Sequence, residues 1–512
     1  MKNSIRASFA IPLLSGFGLT AAHAQNAAWT GTTADFNSAS NWAPAAVPTG
    51  TAFFGATGSP VVTFSSSAAL SGFTFNAGAQ AFSFRSTTET AGVTLSGSGI
   101  VNNAVIAPAF RVANRGFVAA SPGLAFTNGA SAGNAAIANT DGGVTAFLGN
   151  STAGTATIVN SGGSAFFSGT VFVGAATAGN AVITNNTGGI TQFNPSASAG
   201  GATIVNNGGS LASFNIVRFI DALTNPAVSP SANEVGVTAF VGTSTAGNAS
   251  ITNNLAGVTA FLGSSTADAA TIVTNAGGAT FFTGASSGGT ANLIVNPGGT
   301  LDLTAHALGG MAAGSLTLAA GSAYQINVTA AGRNNGLGLS GTATLQGGTV
   351  GLVAAPGNYA RNPSYTIVSA AGGVSGTLTP ANTFAFLTPT LSYDANNAYL
   401  TLSQSFARGG QTANQRAVGS ALDQAAPSAS GDFASTVGVL AVLPSGQGAA
   451  GLNALSGQPY ANFGTLNVQT GYATSMPSVR RSPPLATARH AVVSRWPKHA
   501  KRHVPRGVSA RG

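Results

Sequence analysis

Five histidines and ten carboxylates are all that this 512-residue chain offers for acid–base chemistry. His23 lies near the N-terminus, His306 stands alone in the middle, and His490, His499 and His503 crowd the last stretch. A nucleophile–histidine–acid triad needs three such groups within hydrogen-bond reach. Ser98, in "VTLSGSGI", sits between glycines but lacks the G-x-S-x-G spacing of a nucleophile elbow. His306 reads as a surface or coil-edge residue. The absence of cysteine removes thiolate nucleophiles and zinc–thiolate sites from consideration.

The carboxylates could serve polysaccharide cleavage if they met in pairs or held calcium beside a base. They are Asp35, Glu89, Asp141, Asp221, Glu234, Asp268, Asp302, Asp394, Asp423 and Asp432. The spacing that would align two of them on neighbouring coils is absent from the repeats described below. Asp221 and Glu234 share one non-repetitive stretch and form the single candidate pair; solvated loop charges are the competing reading. No phosphate loop, dinucleotide fingerprint or calcium nonapeptide array occurs. Sequon matches such as Asn150 and Asn248 are expected by chance in this composition. The residues thus predict no catalytic, cofactor-binding or metal site.

The elements that would have to position any site are repeats. "AAIANTDGG", "ATIVNSGG", "AVITNNTGG", "ATIVNNGG", "ASITNNLAG", "ATIVTNAGG" and "ANLIVNPGG" are versions of one segment. Their central aliphatics are Ile137, Ile158, Ile183, Ile204, Ile251, Ile272 and Leu293, at a basic period of 21 residues with one short and one long insertion. An aromatic recurs in phase: Phe126, Phe147, Phe166 or Phe167, Phe193, Phe240, Phe261, and Phe281 or Phe282. Each unit holds two short runs rich in Val, Ile, Thr and Phe, punctuated by "STAGN" and "NNGG". Neither run reaches helical length, so the pattern predicts a β-solenoid.

In such a coil stack, equivalent residues lie about 4.8 Å apart, giving interior Ile and Phe ladders. Asn160, Asn185, Asn206, Asn253, Asn275 and Asn296 precede the glycine corners and are expected to stack as amide ladders. Residues 25–404 allow at most ~18 coils and ~85 Å of stack at that spacing. The most regular repeats span about 120–300. The segment Phe214–Gly236 breaks the pattern and reads as a loop excursion.

Charge is distributed very unevenly. The net charge is +9, yet residues 1–471 carry ten basic and ten acidic residues, so the nine cations from Arg480 onward supply all the excess. A salt-sensitive arm for nucleic acid or anionic lipid is one reading of that tail. At the other end, Lys2 and Arg6, an apolar stretch and "AHA" before Gln25 have the form of a secretory signal peptide over residues 1–24. No later run is long enough for a transmembrane helix. Export without cysteine leaves burial and backbone ladders to supply stability.

Taken in order, these segments resemble the passengers of autotransporters that carry the autotransporter-associated β-strand repeat. "WTGTTADFNSASNWAPAAVPTGTAFFG" resembles their opening motif, and "GGVTAFLGNSTAGTATI" is similar to their central coils. "GNYARNPSYTIVSAAGGVSGTL" with "FLTPTLSYDANNAYLTL" resembles the passenger's end. "NQRAVGSALD" and "LNALSGQPYANF" look like the linker before an outer-membrane barrel. The resemblance spans Trp29 to Gly471. It implies an all-β, right-handed parallel β-helix over 25–404, capped by 301–404, followed by a partly helical linker over 405–470.

It further implies export and a non-enzymatic surface or secreted scaffold. Adhesion to host or neighbouring-cell molecules or to polysaccharide would be its use, with no specific nucleic-acid partner. A carbohydrate-active β-helix enzyme is the alternative. The pattern departs after Phe463, where a barrel of at least ~110 strand residues should follow. Residues 471–512 instead read as a disordered basic tail, as from a truncated or frameshifted gene, and the periplasm becomes a further expected location.

Overall fold

The computed structural model describes residues 24–88, 90–113, 123–162, 168–209, 235–457 and 465–469. The signal segment through His23, Glu89, Phe166 and Phe167, Asp221, Glu234 and the basic tail lie outside the described residues. So does the excursion, except that Gly236 already opens a strand, Gly236–Phe240. Residues up to Ser456 form one compact unit. In the second, which begins at Gly457, residues 465–469 are helical.

The chain folds as a parallel β-solenoid of about 12 turns, with a short helical part at its C-terminal side. Each turn of the regular region has three faces. The first face carries the aliphatic segments: Ala136–Thr140, Thr157–Ser161, Val182–Asn185, Thr203–Asn206, Ser250–Asn253, Thr271–Thr274 and Asn292–Val295 pair in parallel and in register. The second carries the aromatic segments, from Leu124–Phe126 to Ala279–Phe282. The third is narrow. It is a column of single bridges through Ser131, Thr152, Thr177, Ser198, Thr245, Thr266 and Ser287.

The "STAGN" punctuation explains that third face. Each bridging Ser or Thr hydroxyl accepts the backbone N–H two residues on, at 3.1 Å for Gly154 onto Thr152 and 3.0 Å for Gly200 onto Ser198. Such a local side-chain bond turns the chain without help from a neighbour.

Alternation puts every second side chain inside. Ile137, Ile158, Ile183, Ile204, Ile251, Ile272 and Leu293 are all buried. Phe126, Phe147, Phe172, Phe193, Phe240, Phe261 and Phe282 stack ring on ring at 4.7–4.9 Å, with planes within 8° of parallel. One aromatic position differs from expectation. Phe172, not Phe166 or Phe167, pairs with Phe147. Four extra residues sit before that strand, and register follows the strand rather than the count.

The asparagines form two ladders instead of one. Asn139, Asn160, Asn185, Asn206 and Asn253 are fully buried, and each of the first four donates Nδ2–H to the Oδ1 of the next at 2.7–2.8 Å. Threonines of the second face complete each amide, as Thr238 does by donating to Asn206 Oδ1 at 2.8 Å. Asn275 and Asn296 belong to an outer, partly buried ladder with Asn186, Asn207 and Asn254, and there each donates to the preceding coil. The reason is an offset of one: Asn253 follows its Ile251 by two residues and points inward, whereas Asn275 follows Ile272 by three.

Both ends of the stack are closed, as a coil column requires. At the N-terminal end, Trp42 packs edge-on against Trp29 at 4.9 Å and Phe36 at 4.8 Å. The Trp42 indole donates to the Phe36 carbonyl at 2.8 Å, so its one polar atom is satisfied. At the other end the ladders continue through Leu316 and Ala343. A five-stranded sheet adds Met311–Ala313, Leu337–Leu339, Ser364–Ala370, Leu387–Tyr393 and Asn397–Gln404.

Three helices follow: α1 (Ala413–Ala425), α2 (Gly431–Ala441) and α3 (Gly448–Leu455). A capping box between Thr412 and Gln415 starts α1. Leu422, Val437, Leu440 and Leu452 from these helices join the main core. Backbone bonds from Ala385 to Leu443 and from Ser445 to Thr383 tie the segment down.

Candidate functional site

The described carboxylates are spread along the chain, and most are held by backbone or hydroxyl donors. Asp35 accepts from Ser65 Oγ at 2.9 Å and from the Asn37 N–H. Asp302 accepts the Thr304 N–H at 2.7 Å. Asp423 receives the Phe406 and Ala407 N–H groups at 2.7 and 3.1 Å, fixing the entry to α1. Asp432 lies in the first turn of α2, where it complements the helix dipole. Asp268 accepts from Thr245 at 3.3 Å.

Asp394 is the most heavily solvated by the protein itself. It accepts from the Tyr399 hydroxyl at 2.7 Å, from the Asn396 and Asn397 N–H groups, and from the Asn397 amide. The Tyr399 bond and these N–H donors stabilise the charged carboxylate and lower its pKa to about 2. The same bond pushes the Tyr399 hydroxyl up. This closes the hairpin between Leu387–Tyr393 and Asn397–Gln404, which is a structural task.

His306 departs from the coil-edge expectation. It is buried, with Nε2 2.7 Å from the Ser286 carbonyl and Nδ1 2.8 Å from the Ala307 carbonyl. The approach of Nε2 to the Ser286 carbonyl stitches one turn to the next. Ser98 is exposed on its strand, and among the described residues no histidine or carboxylate hydrogen-bonds it. Nor do the described residues bring three His, Asp or Glu side chains together in a metal-binding group. Asp221 and Glu234, the one candidate pair, lie outside the described residues.

What the described residues do present is a surface. The outward side chains of the first face form two columns. One runs Ala136, Thr157, Val182, Thr203, Ser250, Thr271 and Asn292; the other runs Ala138, Val159, Thr184, Val205, Thr252, Val273 and Ile294. The second-face strands of the middle turns differ, being buried on both sides. Ile190, Val237, Ala239, Val258, Ala260 and Leu262 form an apolar cluster of their own on the outer side.

No family model matches the chain, and no curated protein matches it. The autotransporter resemblance therefore rests on the motifs quoted above. No helix among the described residues is long and apolar enough to cross a membrane.

The two surfaces were not equally visible in the sequence. The small, uncharged outer columns follow from alternation and could have been read by taking the residues flanking each buried Ile. The two-sided burial of the second face carries a signal too: "GVTAF" has aliphatics, Val237 and Ala239, at its outward positions, where "SITN" has Ser250 and Thr252.

Proposed function

We propose that this chain is an exported, passenger-type β-solenoid of the autotransporter kind, a non-enzymatic scaffold for contact with cell surfaces or polysaccharide. The observation that carries the reading is how the described carboxylates are spent. Most accept hydrogen bonds from backbone N–H groups or hydroxyls that fix local turns or neighbouring coils, while stacked, uncharged ladders make the structure rigid along its axis. Rigidity with a repeated outer surface suits a scaffold, whereas acid–base catalysis needs titratable groups that converge. The signal-like start and the motif order from Trp29 to Gly471 support export and the family.

The test is expression of the full chain in a Gram-negative host with fractionation and N-terminal sequencing. A mature chain starting at Gln25 outside the cytoplasm, binding to cells or glycans without consuming them, is the expected result. Retention of Met1 in the cytoplasm would overturn export. Cleavage of any polysaccharide in a broad panel would overturn the scaffold reading.

A further inference from the structure

Two arginines stand directly beside one another on the first face. Arg85 and Arg111 are register partners on neighbouring parallel strands, so both point outward one rung apart, about 4.8 Å along the axis. Like charges placed opposite one another in a sheet are unfavourable. Arg111 meets Asp141 at 3.5 Å, but both side chains are more than half exposed, 63% and 58%, so that pair contributes little. Arg85 makes no ion pair among the described residues.

The next rung of the face is unusually low. Arg111 is followed in its column by Ala138, and Ala109 in the other by Ala136. One rung further, Thr157 and Val159 restore the ordinary height. The alanines thus floor a hollow between the arginines and the Thr157–Val159 rung, with a volume of about 390 Å³. That is the scale of a small-ligand site.

We propose that this hollow binds an acidic oligosaccharide, with the carboxylate or sulfate of one sugar held by Arg85 and Arg111. Two guanidinium forks match the geometry of a planar or trigonal oxyanion. The alanine methyls give a flat apolar floor for the C–H face of a sugar ring, and the Thr157 hydroxyl lies at its rim. Beyond it the same columns continue as Thr184, Thr203, Ser250 and Thr252, an uncharged track along which further sugars can lie. The proposal deepens the scaffold reading, in that the sugar is held and not cut.

The experiment titrates the full chain with three short ligands: trigalacturonate, a sulfated trisaccharide and neutral maltotriose. Short ligands limit the pull of the nine distal cations, which every variant shares. Arg85→Ala with Arg111→Ala is expected to weaken acidic ligands about tenfold or more. The double lysine variant should also weaken them, since it keeps the charge but loses the fork. Ala138→Phe should do the same by filling the hollow at unchanged charge, with the denaturation midpoint confirming the fold. Whichever acidic trisaccharide binds more tightly identifies uronate or sulfate as the group held. Equal binding by all variants, or by maltotriose, overturns the site, as does no binding by the parent chain; none of these results touches the scaffold reading. New reducing ends that appear with arginine-dependent binding would support the site and overturn the scaffold reading.

Discussion

Asn206 is held from four sides: Asn185 donates to it, it donates to Asn253 and to Thr259, and Thr238 donates to it. Replacing it with alanine leaves buried donors on Asn185 and Thr238 without an acceptor. Each orphaned buried group costs about 1–3 kcal/mol, so Asn206→Ala should lower unfolding free energy by at least about 2 kcal/mol in denaturant titration. The opposite sign is expected one face away. Ser244, Ser265 and Ser286 are buried with no hydrogen-bond partner for their hydroxyls, and the same column holds Ala176 and Ala197 in other turns. Ser265→Ala removes an unsatisfied oxygen at a position whose neighbours already accept a methyl. It should raise the denaturation midpoint, by about 1 kcal/mol in stability. An unchanged or lower midpoint would mean the hydroxyl is satisfied in solution.

At the scale of one turn, the paired glycines of the corner do two different jobs. Gly188 adopts φ +71°, but Gly189 does not need a left-handed backbone; it brings the chain onto the carbonyl of Asn160. The "LAG" corner separates the roles. Ala256 occupies the left-handed position at φ +52°, while Gly257 keeps the close approach, where a Cβ would overlap the Asn206 carbonyl oxygen. Gly257→Ala should therefore cost about 3 kcal/mol or prevent the turn from stacking. Ala256→Gly should stay within about 1 kcal/mol of neutral, because relief of left-handed strain offsets the lost methyl burial. Equal effects would refute the division.

The same contrast shows how far the sequence could be read. The period, the two strand runs and the Ile ladder were legible because apolar identity and spacing agree over seven units. The place of Phe172 was not, because it depends on an offset of a few residues that only strand register decides. The split of the asparagines is legible only by counting each one from its Ile, two residues for the inner ladder and three for the outer. The Arg85–Arg111 pair was equally hidden: 26 positions separate the two in the chain, and their turns lie where the repeat is too weak to align by eye. The burial of His306 is hidden for a similar reason: nothing in its flanking sequence marks the Ser286 carbonyl beside its ring.

For the unit as a whole, the scarcity of charge sets its response to solution conditions. Arg111 with Asp141 is the one ion pair among the described residues. Raising sodium chloride from low salt to about 1 M should shift the thermal midpoint only slightly, since exposed pairs contribute 0–1 kcal/mol and are what salt screens. A large salt-induced loss would show that charges outside the described residues hold the structure together.

Alkali should act where salt does not. Near the C-terminal end, Tyr324, Tyr359 and Tyr365 donate to the Ile367, Ala355 and Thr329 carbonyls. Burial raises all three hydroxyls, Tyr359 to about 12. A folded value above the unfolded one means that the contribution is complete below about pH 10 and is lost as pH climbs through 10 to 12. Ultraviolet titration should show these phenols ionising together with loss of structure, whereas early, reversible ionisation would contradict their burial.

Thr157–Ser161 and Thr203–Asn206 each lead into their second-face partner through a longer connection, yet Ile158 still sits over Ile183 and Ile204 under Ile251. The first interval is 25 residues and the second 47, against 21 elsewhere, and neither displaces a single rung. The corner between the two wide faces is thus a port where foreign sequence can be spliced in while the stack keeps its phase. A peptide epitope grafted between residues 162 and 168 should therefore leave Ile158 over Ile183 and the Asn160–Asn185 bond in place.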